Sequence, residues 1–515
     1  MKSYSYHTFI LPFIWEHSTN ATDSQRGDRP ELQYAAMLAK FRSCDDWAEM
    51  YVFKGGLVQV SGGINNEAFY NEYKYFHPHV CESIYGYLND DNLRCDNIVT
   101  SFTLMPGGKK LQGSYVIRKK NDYGTSEYKL QVESIDVKIY NTGVGLYILR
   151  CTNKKDEQGQ DNLDTVKAIN DYGRRITKPT LKNYVCASSL TLDIKGLGCF
   201  EENWNDLDKK ISSGMIDSLS YISKTVTGPF ESLGIDAGDI TLGIDDRMFV
   251  MSWTSDADKT RKFIVRDKGE YILFSDEQIS KDIYEMAAVD LAGKCSCQSM
   301  DMRRDLLDKY VYPRWIDWET IYTITAQGFI ALSSANDEGD TAFLIDYFNT
   351  QYCQLCCLCL AQRTTLINFS RKAEHISKGI ERKSNTLKKT DRQEMMDLQE
   401  RYIAFLTQID ASEASPEEQG IEIYNSLREA LNVESEKKSL QEQLTGLNEL
   451  ANSSQDFNFN KWAAVIAIMA LCLAAADLIG NNYEYGSIKS YWTVIMVAMT
   501  FMAGLAAWFF NRRRK

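Results

Sequence analysis

Alternating apolar and polar positions in the first 340 residues predict a sheet-containing domain. Residues 135–151 hold two runs of β-branched and aromatic residues on either side of Asn141-Thr142-Gly143. Because Asn and Gly accept the positive φ of a tight turn, this pattern predicts a β-hairpin. Similar apolar runs predict further strands at 4–15, 248–253, 271–274 and 320–333, and the polar segments 152–164 and 254–260 are predicted to be loops. The whole of 1–340 is therefore predicted to be a mixed α/β domain.

The pattern changes to that of helices after Asp340. Residues 342–409 contain no proline; they begin apolar and become highly charged. A helix of this kind leaves a domain core and enters solvent or pairs with another helix. We predict a helical arm over 341–410.

A second helical segment is predicted over 411–461. Ser415 is placed as the N-cap and Pro416 at the first helical position, and apolar residues at spacings mostly of three and four form one stripe from Ile421 to Leu450. Nothing in the sequence forces a stop before 461. If this stalk continues into the apolar segment that follows, it makes one helix of about 65 residues, roughly 95 Å long.

Two long apolar runs occupy the C-terminal part of the chain. Residues 462–480 carry one charge, Asp477, and residues 491–510 carry none. Each run is long enough to cross a hydrocarbon core of roughly 30 Å, so both are predicted to be transmembrane helices joined by the outer loop 481–490. The alternative is a pair of buried helices in a large soluble core.

The distribution of positive charge predicts the orientation of the two spans. The tail 511–515 carries four positive charges, whereas the connecting loop carries only Lys489. The positive-inside rule then places both termini in the cytoplasm and makes the chain a multi-pass protein of the inner membrane. Residues 1–16 show no cleavable signal pattern.

The composition of the chain argues against several kinds of binding site and activity. A net charge of −12 argues against a surface that neutralises phosphates, so no direct nucleic-acid binding is expected. Thirteen irregularly spaced cysteines indicate a reducing compartment, and the single CxxC at Cys353 to Cys356 is interpreted as packing cysteines. His77, His79 and Cys81 are interpreted as loop residues. No metal ligand, catalytic residue or required cofactor is assigned, and the chain is not expected to be an enzyme.

The C-terminal layout resembles the CorA-type magnesium and cobalt channel family. That family carries Gly-Met-Asn at the outer end of its first span, and Gly480, Asn481 and Asn482 occupy the same place here, with Asn replacing Met. The resemblance implies a homopentamer forming a five-fold funnel, with the first span lining a pore for Mg²⁺ or another divalent cation. Alternatively, the two asparagines only end the helix after Gly480.

The first span would place its residues at successive levels of such a pore. Asp477, the only charge in either span, would form a carboxylate ring, although it could also reach the lipid headgroups. Selectivity is assigned to Gly480, Asn481, Asn482, Asp477 and Glu484. A gate is assigned to the residues that follow inward along the same helix face, namely Leu473, Ile466, Trp462, Phe459 and Asp456.

Within the family, the N-terminal region more closely resembles the CorA-like membrane proteins found beside type III CRISPR systems. That resemblance implies gating by a nucleotide second messenger and a role in antiviral defence. The predicted function is therefore an ion channel for cation transport, gated by the cytoplasmic domain; the alternative is a membrane-anchored sensor, scaffold or enzyme that does not conduct ions. The sequence identifies no ligand-binding residues. The acidic clusters at 245–246 and 337–340 are interpreted as solvated loops.

Overall fold

The fold is taken from a computed structural model, which describes residues 3–15, 30–52, 58–59, 72–86, 98–121, 124–154, 160–177, 185–213, 221–267, 270–272, 276–336, 339–381 and 389–449. These residues fall into two compact units. The first comprises 1–368 and 403–437, and the second 369–402 and 438–515. The division passes through long helices rather than through loops.

A mixed sheet of fourteen strands organises the described part of the first unit. The strands are β1 Ser3–Ile14, β2 Trp47–Val52, β3 Val58–Gln59, β4 Val99–Leu104, β5 Gly113–Asn121, β6 Gly124–Tyr140, β7 Val144–Lys154, β8 Ser189–Ile194, β9 Gly198–Asn203, β10 Thr241–Leu242, β11 Phe249–Ser255, β12 Val265–Asp267, β13 Glu270–Ile272, β14 Val311–Tyr312, β15 Thr320–Ile324 and β16 Gly328–Ser333. Strands β12 and β13 form a separate pair. The main path runs β14-β15-β16-β11-β1-β7-β6-β4-β2-β3, in which β11 and β16 are parallel.

Helices of the first unit cover both faces of this sheet. The described helices of the two units are α1 Pro30–Arg42, α2 Pro78–Tyr85, α3 Leu163–Gly173, α4 Trp204–Ser212, α5 Lys224–Thr227, α6 Ala257–Phe263, α7 Glu277–Ala288, α8 Met300–Tyr310, α9 Phe343–Tyr347, α10 Cys353–Glu381, α11 Lys389–Gln408, α12 Glu418–Ala430 and α13 at 433–449. A π-helical turn, Phe348–Tyr352, joins α9 to α10.

The period-two alternation of β1 and its neighbours separates two buried layers. Phe9, Leu11 and Phe13 of β1 belong to the main core, which also receives side chains from α1, α3 and α7. On the opposite face, Arg150 of β7 contacts Cys353 of α10, and Trp253 of β11 packs edge-on against Phe348. The sheet is thus buried on both sides, which explains its nearly continuous apolar strands.

The strand predictions are confirmed where the structure describes them, which for 271–274 is only the part within β13. Residues 141–143 form the turn of the β6–β7 hairpin, and Gly143 takes a φ of 90° that requires glycine. The runs beginning at Tyr4, Met248 and Thr320 correspond to β1, β11 and the β15–β16 hairpin. The predicted loop 254–260 is wrong, because Asp256 caps α6 by accepting a hydrogen bond from the Lys259 amide.

The predicted continuous stalk over 411–461 is also wrong. Helix α12 begins at Glu418 and ends at Ala430, and Asn432 adopts a φ of 56° before α13 starts. Asparagine tolerates this left-handed conformation, which interrupts a helix. Ser415 still contributes at the entry, since its hydroxyl accepts a hydrogen bond from the Glu417 amide at 3.2 Å.

The predicted fold class of an α-helical membrane protein is also wrong. Among the described residues, no helix combines the length and the apolarity that crossing a bilayer requires. The longest, α10, is apolar only in its first turns and then carries Arg363, Arg371 and Lys372. The inner-membrane location, the multi-pass topology and the assignment as a transport channel are contradicted by this finding, and the two predicted spans, 462–480 and 491–510, lie outside the described residues.

In the second unit, the described helix segments bury one apolar side each. Phe369, Ala373 and Ile376 are buried on α10, and Met395 and Leu398 on α11. The Arg401 guanidinium lies 5.4 Å from the centre of the Phe369 ring. Leu440, Leu444 and Leu447 of α13 are buried as well, as their stripe predicts. The predicted domain boundaries stay predictions.

Candidate functional site: a cationic cleft beside the parallel strands

A cleft of about 670 Å³ opens in the first unit where the parallel strands β11 and β16 begin. Its floor is the short turn at 325–327 between β15 and β16, and its walls come from the ends of α3, α7 and α8. We call it the cationic cleft because Arg174, Arg247 and Lys294 all line it. Pockets of this volume are of the size that holds small molecules.

The turn that forms the floor is fixed by one threonine. The Thr325 hydroxyl donates to the Ala287 carbonyl at 2.8 Å and accepts from the amides of Gln327 at 3.1 Å and Gly328 at 3.2 Å. Gly328 is required here, since a Cβ at this position would lie 2.6 Å from the Val250 carbonyl oxygen of β11. The floor is therefore tied to both α7 and the parallel strand pair.

Arg174 connects the floor to the two helices. Its guanidinium donates to the Gln327 side-chain oxygen at 2.8 Å, to the Val289 carbonyl at 3.1 Å and to Asp171 at 3.5 Å. Asp171 also accepts from Arg175 at 2.8 Å, so one buried carboxylate serves two buried guanidiniums. The group keeps a net positive charge beneath the cleft.

Val289, whose carbonyl accepts a hydrogen bond from Arg174, has an unusual backbone conformation. It ends α7 with a φ of 58°, in the left-handed region that a β-branched residue rarely occupies. The conformation completes a helix-ending pattern in which the Asp290 amide donates to the Glu285 carbonyl at 2.8 Å. Backbone strain of this kind, of order 1–3 kcal/mol, tends to occur at functional sites.

Two further cations, Arg247 and Lys294, lie at the rim of the cleft and differ in whether another described side chain pairs with them. Arg247 is held beside Arg174 by an isolated β-bridge to Arg175, and its guanidinium bonds Asp245 at 2.8 Å. Partial burial raises the pKa of Asp246, and the neighbouring Asp245 raises it further. Lys294 is exposed, and its ammonium makes no hydrogen bond or ion pair with another described residue. Lys294 is thus the cation in the cleft that is ready for an external anion.

Two tyrosines supply flat surfaces. Tyr284 lies on α7 and Tyr310 at the end of α8, and both line the cleft while remaining partly exposed. Burial raises the pKa of Tyr284, so its phenol stays neutral at physiological pH. Aromatic faces next to cations bind planar, negatively charged molecules.

Buried polar side chains of helix α3 bind the elements that form the cleft. Lys167 binds Asp282 at 2.9 Å and Glu285 at 2.8 Å on α7, and Asn170 accepts from His7 of β1 at 2.7 Å. A helix that is buried all round seldom carries so many polar groups. These contacts fix the position of α7, and with it the wall that carries Tyr284.

His7 gives this support a measurable pH dependence. Burial lowers its pKa to about 4, which the hydrogen bond to Asn170 offsets only in part. Between pH 6.5 and 4 the unfolded chain binds a proton at His7 and the folded chain does not. The free energy of unfolding therefore decreases by up to about 3 kcal/mol as the pH is lowered through this range. Chemical denaturation of wild type and His7→Gln at several pH values measures the difference. Equal slopes in both proteins would contradict a neutral, buried His7.

The structure describes none of the predicted pore residues. Every residue assigned to selectivity or to the gate, from Asp456 to Glu484, lies outside the described residues. Asp245 and Asp246, interpreted as solvated loop residues, do lie in a partly exposed loop, where they pair with Arg247 next to the cleft. The loop interpretation is wrong for His79 and Cys81, which lie on α2, and the rings of His77 and His79 stack 5.6 Å apart. Within the described ranges, no three His, Cys, Asp or Glu side chains come together in an arrangement that could hold a metal ion.

The cleft residues were missed at the sequence level. A signal was present in 163–175, where an otherwise apolar helix carries a lysine, an Asn-Asp pair and two arginines. Polar residues in a buried pattern are informative because burying them requires partners. Those partners come from 282–290 and 325–327, more than a hundred residues away in the chain.

No family model matches this sequence, and no curated protein matches it either. The resemblance to the CorA-type family, with its pentamer and its divalent cation, stays a prediction.

Proposed function

We propose that this protein is a sensor whose first unit binds an anionic, ring-bearing small molecule, of the nucleotide class, in the cationic cleft. The observation that carries the proposal is the unengaged Lys294 ammonium in a cleft with two arginines and two tyrosines. A sensor is one of the alternative functions that the sequence predicts, and this role does not involve ion conduction.

The charge distribution favours an anion over a cation. The charged side chains that line the cleft carry an excess of one positive charge; they are Arg174, Arg247, Lys294, Asp171 and Asp290. Asp171 is engaged by two arginines, and Asp290 accepts the Ser296 amide at 2.8 Å. The carboxylates are therefore occupied within the protein, and Lys294 is available to a phosphate.

The rigidity of the floor favours specific binding. Arg174, Thr325 and Gln327 are held by hydrogen bonds within the protein, so little ordering of these groups is needed on binding. Preorganised sites lose less conformational entropy when a ligand binds. A planar base would contact Tyr284 or Tyr310 while its phosphates reach Lys294 at the open end.

Isothermal titration calorimetry with ATP, AMP and adenosine tests this proposal. We expect the phosphorylated ligands to bind and adenosine to bind at least tenfold more weakly, because one charge-assisted hydrogen bond contributes about 1.5–3 kcal/mol. Lys294→Gln should weaken ATP binding by tenfold or more. Tyr310→Ala should weaken it about five- to a hundredfold through the lost stacking, whereas Tyr310→Phe keeps the ring and should bind as wild type does.

Lys262→Gln is the matched control, since Lys262 is an exposed lysine on α6 that does not line the cleft. It should bind ATP with unchanged affinity. Equal weakening in the Lys262 and Lys294 variants would show that only general charge attraction is measured, and the proposal would then fail.

A further inference from the structure

Four buried cysteines lie within two turns at the start of α10. They are Cys353, Cys356, Cys357 and Cys359. Cys353 and Cys357 are four residues apart and therefore share one face of the helix. Cys356 is next to Cys357 in sequence and is equally buried, but the hydrogen bond of Cys353 is with Cys357. The cluster lies on the opposite side of the sheet from the main core and is independent of the cationic cleft.

Among the four described thiols, the sulfur of Cys353 is the one that accepts a hydrogen bond from a cation. The Arg150 guanidinium of β7 lies 3.4 Å from the Cys353 sulfur and 2.5 Å from the Asp136 carboxylate of β6. Lys138 of β6 is also nearby; its ammonium donates to the Ile84 carbonyl and to the Gln354 side chain, each at 2.7 Å. A thiolate at Cys353 would thus be stabilised by one partly buried cation, Arg150, and one buried cation, Lys138.

These neighbours give Cys353 and Cys356 different pKa values, although both thiols are fully buried. The pKa of Cys353 is lowered to about 6, mainly by a hydrogen bond from Cys357 and then by Arg150, against the effect of burial. Burial raises the pKa of Cys356 well above its usual value, and no cation offsets the effect. Because the thiolate is the reactive form, Cys353 is the nucleophile of the cluster at neutral pH and Cys356 is not.

The backbone just before Cys353 is also unusual. The π-helical turn Phe348–Tyr352 inserts an extra residue into what is otherwise one long helix. Its hydrogen bonds are those of a wider turn, and such turns often mark functional sites. This turn is the place where the helix can change register without unfolding α10 as a whole.

We propose that Cys353 and Cys357 form a redox-active dithiol that a peroxide converts to an intramolecular disulfide. In the first step the Cys353 thiolate attacks one oxygen of hydrogen peroxide, the O–O bond breaks, and Cys353 becomes a sulfenic acid as hydroxide leaves. In the second step the Cys357 sulfur attacks the sulfenic sulfur, giving the S–S bond and one water that carries the Cys357 proton. The dithiol loses two electrons and the peroxide gains them.

The geometry requires a local movement of the helix. Residues four apart in an α-helix have Cα atoms about 6 Å apart, which a disulfide accepts, but Cβ atoms about 5–6 Å apart, which exceeds the roughly 3.8 Å that it needs. The first turn of α10 must therefore tighten, and the adjacent π-helical turn can absorb the change. Oxidation also removes one of the two anionic partners of Arg150 and leaves Asp136.

Peptide mapping of the full-length protein after hydrogen peroxide treatment tests the proposal. Free thiols are blocked with N-ethylmaleimide at set times, and each cysteine is followed by mass spectrometry. We expect a Cys353–Cys357 disulfide to form while Cys356 and Cys359 remain alkylatable. In Cys357→Ser the second step is blocked, so dimedone should trap Cys353 as its sulfenic acid; Cys356→Ser should leave disulfide formation unchanged.

The comparison between Cys353 and Cys356 separates chemistry from access, because both are fully buried. Oxidation of Cys353 no faster than that of Cys356 would overturn the proposal. So would the absence of the disulfide under conditions that oxidise the exposed Cys199. The wild-type measurement alone can support or overturn the proposal, so the test does not depend on how the variants fold.

Discussion

Lys167→Met is expected to lower the free energy of unfolding by about 3–5 kcal/mol, a larger loss than at the other buried ion pairs of the first unit. The Lys167 ammonium is 2% exposed and lies 2.8 Å from the Glu285 carboxylate, which is 3% exposed, and 2.9 Å from Asp282. Methionine fills the same space but removes the charge. Glu285 would then be a buried carboxylate without its counter-ion. Urea denaturation of the purified protein measures the loss.

The double variant Lys167→Met, Glu285→Leu is the decisive partner to this measurement. Replacing both charges with apolar side chains removes the uncompensated carboxylate, so most of the lost stability should return. Lys281→Met, which removes an exposed lysine paired with Glu277 on the same helix, should leave the denaturation midpoint unchanged. A Lys167→Met protein as stable as wild type, or a double variant no better than the single one, would mean that α3 and α7 are not held together in this way.

Arg428→Met should produce the second largest loss, about 3 kcal/mol. The Arg428 guanidinium is 7% exposed and donates to Asp410 at 2.7 Å, to Gln362 at 3.0 Å and to the Tyr424 hydroxyl at 3.0 Å. Asp410 is 6% exposed and would lose its closest cation. The effect is smaller than at Lys167 because Lys437 stays 3.0 Å from Asp410.

Lys437→Met supplies the matched comparison for Arg428. Lys437 binds the same carboxylate but is 25% exposed, so its removal should destabilise the protein clearly less. Thermal unfolding followed by circular dichroism ranks the two variants. If Lys437→Met were the more damaging, the buried guanidinium would not be the centre of this network.

The Arg428 network also explains why the helical segment after 411 is not continuous. Arg428 lies on α12 and also contacts Glu434 on α13, across the left-handed residue Asn432. Contacts on both sides stabilise the break. The apolar stripe is real on each side of the break, but the nine-residue step from Leu431 to Leu440 does not keep it on one helix face, and Asn432 interrupts the helix within that gap.

Local patterns are sufficient for the strands and most helices. The hairpin at 141–143 is predictable because turn chemistry and alternation agree there, and the β15–β16 hairpin is predictable from its apolar run. The prediction is wrong at 254–260, where a short polar helix with an aspartate cap has the composition of a loop. Polarity alone does not separate a short exposed helix from a loop.

The candidate site could not be predicted because its partners are distant in sequence. Lys167 meets Glu285, and Arg174 meets Val289 and Gln327, only after the sheet has formed. The left-handed conformation of Val289 contradicts its propensity and has no sequence signal. The state of Cys353 likewise depends on Arg150, two hundred residues earlier, so the lone CxxC by itself indicates only packing.

Photo-crosslinking with 8-azido-ATP tests the central claim most directly, because it reports where a bound base lies. The full-length protein is irradiated with the probe, digested and mapped, with excess ATP as competitor. We expect competed label on the peptides that contain Tyr284 or Tyr310, and loss of that label in Lys294→Gln. Competed label confined to peptides remote from the cationic cleft would contradict the account.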